Sequence, residues 1–167
     1  MVKRTLLFAV IIGLVVSAIF FFRWFRHRDE CQIRKNLNTL ASLVSKSPGE
    51  SSFILVGRAK NAADDFTEDC LISVGSELQE IKGRDEIPGT IILAQNFFTQ
   101  LTATPVDITV RIGEDKKTAQ SGLTLKVVGY GPASTQPFLE AREIEIDWQK
   151  PEKKWLLSEV HPVSTLR

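Results

Sequence analysis

The chain is poor in the residues that most often carry chemistry. Its 167 positions hold two cysteines, two histidines, one tyrosine and one methionine. Cys31 and Cys70 show no C-x-x-C spacing, and His27 and His161 form no ligand pattern with them, so neither a metal nor a cofactor is expected. There is no internal repeat and no low-complexity tract. Acidic side chains are absent from residues 1–28, which carry five Lys or Arg, so the 139 residues that follow hold 16 basic and 20 acidic groups, net −4. A domain of that sign offers no footprint for a phosphate backbone, and nucleic-acid binding is not expected.

What the chain has in excess is one apolar run. Residues 5–22, TLLFAVIIGLVVSAIFFF, carry no charge and are bracketed by Lys3-Arg4 and by Arg23-Trp24-Phe25-Arg26-His27-Arg28. About 20 apolar residues at ~1.5 Å rise cross a bilayer core. Arg23, Trp24, Arg26 and Arg28 suit the headgroup layer. The expectation is a single-pass anchor, residues 1–28, embedded in the lipid bilayer through residues 5–22. Two other readings stay open: a signal peptide cleaved after Val16-Ser17-Ala18, and a buried soluble helix. Flanking charge is nearly balanced, so orientation rests on the four-residue tail, too short to be a translocated domain, and on the cysteines. Together they favour a periplasmic or extracellular domain.

Residues 29–167 have the size of one domain with a full core. Asp29 with Gln32 has the capping-box spacing, and Ile33, Leu37, Leu40 and Val44 recur at helical intervals up to Ser47-Pro48-Gly49. Ser51 or Ser52 caps a second helix, with Phe53, Val56, Ala59, Ala63 and Phe66 on one side. A short loop makes the two helices antiparallel, which carries Cys31 towards Cys70. A disulfide between them is feasible; two separate thiols are the alternative. Cys70 to Val74 reads as one short strand. Asp85 caps a third helix, where Ile87, Ile91, Ala94, Phe98 and Leu101 share a stripe, Ile92, Leu93 and Phe97 widen it, and Thr104-Pro105 ends it. The period then changes to 2. Val106 to Ile112, Thr118 to Tyr130, Ala141 to Trp148 and Trp155 to His161 form a four-strand meander. The fold class is α+β: a transmembrane helix, then three helices on a curved antiparallel sheet.

Phe66-Thr67-Glu68-Asp69, followed by Gly83-Arg84-Asp85-Glu86-Ile87, resembles the F-x-x-D … G-x-x-x-I passage of the nuclear transport factor 2-like superfamily. The closing Trp148 … Trp155 to Val160 hairpin is similar to that superfamily's last two strands. The resemblance covers about residues 30–163. It implies a cystatin-like cone, a bent sheet around a long helix with a pocket at the open end. It does not imply one function, because the superfamily includes isomerases, dehydratases, hydrolases, binding subunits and secretion-system parts.

Enzymes of that kind move protons with carboxylates, often helped by tyrosine or histidine, beside an apolar pocket. The candidates here are His161, Glu143, Tyr130 and Arg142. His161 and Glu159 share a face of the last strand, and Glu143, Glu145 and Asp147 share one of the strand before it, with Arg142 on the other. The same alternation, Glu143 to Asp147, also reads as a solvated outer face. Asp64, Asp65, Glu68 and Asp69 lack the spacing and glycine of a calcium loop. The expectation is therefore a membrane-anchored binding or assembly module rather than an enzyme, with a homodimer through the sheet face or another protein as partner. An isomerase, dehydratase or hydrolase with carboxylate and histidine chemistry in the cone is the alternative.

Overall fold

The computed structural model describes residues 28–74, 79–132 and 136–163. The expected anchor at 5–22, with Arg23, Trp24 and Arg26, lies outside these residues. Among the described residues no helix is long and apolar enough to cross a membrane.

Helix α1 occupies residues 28–44 and α2 Ser52–Ala63, followed by strands β1 Phe66–Val74 and β2 Gln79–Lys82. A turn of 3-10 helix at Arg84–Glu86 leads into α3 Ile87–Asn96, and β3 Gln100–Ile112, β4 Thr118–Tyr130, β5 Phe138–Gln149 and β6 Leu156–Pro162 complete the chain. The strands form one six-stranded sheet in the order β2-β1-β6-β5-β4-β3. Two expectations are corrected. The segment between α2 and α3 is a pair of strands rather than one, and β1 runs parallel to β6, so the sheet is mixed.

The α1 stripe of Ile33, Leu37, Leu40 and Val44 packs as the spacing predicted, while α2 and α3 keep only part of theirs. In α2 the buried stripe is Leu55, Ala59, Ala62 and Ala63, while Phe53 is 88% exposed. Small residues at those positions let the helix backbone come close to its neighbours, and the stripe with the larger side chains is left facing water. In α3 Ile87, Ile91 and Gln95 are buried and Leu93 and Phe97 are exposed, so only one side of the helix packs. That helix ends at Asn96, and Leu101 to Pro105 belong to β3.

The helices meet through their carbonyl ends. Gln95 Nε2 donates to the carbonyls of Leu43 (3.3 Å) and Val44 (2.9 Å). Arg58 donates to those of Ser42 and Ser45. Lys46 Nζ returns the favour at the end of α3, donating to Gln95 O (2.9 Å) and Phe98 O (2.8 Å). Side-chain donors thus satisfy carbonyls that a helix end leaves without partners. The same region closes the outer edge of β3. Lys46 bridges Leu101, Ser45 Oγ accepts from Ala103 N–H, and Arg34 donates to Ile108 O (2.6 Å). With Pro105 lacking an N–H, much of a long edge strand is blunted against pairing with another chain.

The core is densest where α1 begins. Ile33, Trp148, Trp155 and Leu157 are each at most 1% exposed. Trp155 Nε1 donates to Asp29 Oδ1 (3.2 Å), and Trp148 Nε1 to Ser121 Oγ (2.9 Å). Lys150 Nζ pairs with the same Asp29 oxygen at 2.7 Å and lies 5.2 Å from the Trp155 ring centroid.

Candidate functional site

The two halves of the concave sheet face differ. On β5, Ile146 is 3% exposed. Ile144, one step along the same face, is half-buried, and Arg142, the next, is exposed. On β4, Leu123 is buried and Leu125 half-buried. The face therefore becomes more exposed along β5 towards Arg142, away from Trp155 and Asp29, and is covered again where Phe98 lies over Gly129 and beside Phe138. A cavity of about 380 Å³ fills this half.

Its floor follows the strand register. Ile81 pairs with Ile72, Ile72 with Val160, Val160 with Ile146, and Leu125 with Pro105, so apolar side chains from all six strands line it. Its roof is α1, through Leu37, Leu40 and Val44, and α3, through Ile87, Ile91 and Ala94. Among the described lining residues only Thr90 has a polar side chain, and its Oγ1 donates to Glu86 O (3.0 Å). Among the described residues no titratable group lines the cavity. The sequence did not single out Ile72, Ile81 or Val160 as site residues. Their signal, β-branched residues at inward positions, is the same as that of ordinary core.

The four candidate catalytic residues do not converge. Tyr130 ends β4, exposed, and its backbone oxygen accepts from Thr99 N–H at 2.7 Å. His161 pairs across strands with Glu145, with Nε2 3.3 Å from Glu145 Oε2, on the outer face of the sheet. Glu143 is exposed on that same face. Arg142 alone is on the concave side, at the rim, where Nε donates to the Glu140 carboxylate. Alternation explains the separation. Ile144 and Ile146 point inward, so Glu143 and Glu145 point outward and carry His161 with them.

The Cys31–Cys70 bridge is not formed. Cys31 is exposed and Cys70 is 1% exposed. The strand that was expected to begin at Cys70 begins at Phe66 instead, and four residues of strand, about 13 Å, carry Cys70 away from the helix end. Burial pushes the Cys70 thiol up, which keeps it protonated and unreactive. Two of the four acidic residues after α2 are engaged in ion pairs, Asp65 with Lys154 (2.8 Å) and Glu68 with Arg84 (3.4 Å). Among the described residues no cluster of three His, Cys, Asp or Glu is placed to hold a metal ion. A second recess, about 390 Å³, lies beside Ser42, Lys46 and Arg58, whose cations are committed to the helix-end carbonyls described above.

Comparison with family models and with curated proteins finds no match to the sequence. Solved structures do match the fold. A provisionally assigned scytalone dehydratase from Novosphingobium aromaticivorans superposes with TM-score 0.68 at 13% identity, over 83% of this chain and 86% of that one. A provisionally assigned aromatic ring hydroxylase from the same organism gives 0.68 at 16% identity, over 84% and 91%. An ntf2-like protein with a cystatin-like fold, again from that organism, gives 0.66 at 14% identity, over 86% of each chain. The chain has the cystatin-like fold of nuclear transport factor 2-like proteins.

Proposed function

We propose that this chain is a membrane-anchored binding module whose cone takes up an apolar ligand. The observation that carries the reading is the cavity: about 380 Å³, within the ~300–1,000 Å³ range of small-molecule sites, and lined among the described residues by no acid or base. General acid–base catalysis needs such a group within hydrogen-bond reach of the reacting atom. The anchor at residues 5–22 is supported by its length and flanking charge. With Asp29 at the closed end of the cone, the mouth faces away from the point where the anchor joins, so the ligand is met in the aqueous compartment.

The direct test is photolabelling. A diazirine-tagged dodecanol is added to the full chain in lipid nanodiscs, and the labelled peptides are mapped. Label on β4 and β5 around Leu125 and Ile144 supports the reading; label confined to residues 5–22 contradicts it.

The domain is proposed to lie outside the cytoplasm, a reading that the bridge no longer supports. Exposed Cys31 provides the check. A membrane-impermeant maleimide should label it in intact cells, and labelling only after lysis would reverse the orientation. Self-association through the outer sheet face finds little support, since Glu143, Glu145, Asp147 and Glu159 would meet their own copies there.

An isomerase, dehydratase or hydrolase is the second reading. It is favoured by two fold neighbours, the provisionally assigned scytalone dehydratase and aromatic ring hydroxylase. It would need an acid or base brought to the cavity from beyond the described lining.

A further inference from the structure

We propose that the ligand of this cavity is an amphipathic carboxylate, with its chain in the cone and its head on the guanidinium of Arg142. The proposal rests on the reading of the cavity as a binding site.

Arg142 occupies the next inward position of β5 beyond Ile144, and it pairs across strands with Leu125. Both of those residues line the cavity. Same-face neighbours on a strand are ~7 Å apart and directly opposed residues about 5 Å. An arginine side chain at that place reaches the mouth. Its Nε donates to Glu140, also on the inward face, and no other described residue bonds the guanidinium. Glu140 therefore engages Nε, while the terminal nitrogens have no partner among the described residues and the Arg142 side chain is 53% exposed. A planar pair of N–H donors is the geometry that accepts a carboxylate with two parallel bonds. Lys126 and Glu143 alternate to the outer face, so among the described residues Glu140 is the one charged neighbour that an incoming carboxylate meets, and it shares the guanidinium with it through Nε.

The chemistry of the two parts then specifies one molecule. An apolar lining gains by removing a hydrocarbon chain from water. The rim offers one cation to a head group. An alcohol of the same length would make the first contact without the second.

The experiment uses the full chain in lipid nanodiscs, with cone labelling by diazirine-tagged dodecanol competed by dodecanoate, dodecanol or dodecylammonium. Dodecanoate is expected to compete at up to about fivefold lower concentration than dodecanol, the range of a partly exposed ion pair. Arg142→Gln should remove that difference and leave dodecanol competition unchanged, which also shows that the variant is folded. Equal competition by dodecanoate and dodecanol in the wild type, or a preference for dodecylammonium, overturns the head-group assignment while the cavity stands. Absence of any cone labelling overturns the cavity reading and this proposal together.

Discussion

The two ends of the cone are made from one sheet, yet one is solid and the other hollow. At the closed end Trp148 and Trp155 fill the space between sheet and α1, each indole N–H has an acceptor, and Asp29 ties helix to hairpin. At the open end the same sheet face carries Ile72, Ile144, Val160 and Leu125, which are half-buried and leave about 380 Å³ unfilled. Interiors pack close to crystal density, so an unfilled volume of that size is forgone stability. The contrast assigns stability to one end and binding to the other.

Removing the closed end should have the largest effect. Trp155→Ala is expected to cost about 3–5 kcal/mol in urea unfolding, the usual penalty for truncating a buried aromatic. Asp29→Ala should cost less, about 1–3 kcal/mol, by leaving Trp155 Nε1 and Lys150 Nζ without their shared acceptor. Both losses should appear as a lower urea midpoint, with ligand uptake by the folded fraction unchanged. At the open end the pattern should invert. Ile144→Trp is expected to change stability by about 1 kcal/mol or less, because its bulk enters existing space, while it removes cone labelling. A large loss of stability there would erase the contrast.

The smallest effect concerns neither end. Glu50 accepts from Ser47 N–H (3.0 Å) and pairs with Arg58 (2.6 Å), and these contacts hold its carboxyl below the usual range. A carboxyl depressed by folding stabilises above its unfolded value and loses that contribution as pH falls through its folded value. The midpoint difference between wild type and Glu50→Gln should therefore be present at neutral pH and vanish in acid.

The sequence conveyed the periodic parts of this fold and missed those decided by neighbours. Strand β4, Thr118 to Tyr130, was legible to the residue, because its alternation is regular and its turns are strong. The face of α2 was legible only in its second half, where Ala59, Ala63 and Phe66 are buried as expected. In the first half Phe53-Val56 and Leu55 both continue that spacing, and only the packing partner chooses Leu55. The second strand before α3 escaped because Gln79–Lys82 offers a single inward apolar residue, Ile81. The bridge between Cys31 and Cys70 failed for a related reason, since it depended on where β1 begins. For the site, the resemblance to nuclear transport factor 2-like proteins correctly implied a cone. Which inward residues would leave space was not legible, since packing residues and lining residues are both isoleucine, leucine and valine. Arg142 was singled out, but only the register with Leu125 places it at the mouth.

The most direct test of the hollow end is a side-by-side map of diazirine-dodecanol labelling in wild type and Ile144→Trp. The account predicts label on β4 and β5 in the wild type and its loss in the variant, with any label on residues 5–22 unchanged. Equal labelling of the cone in both proteins would contradict it.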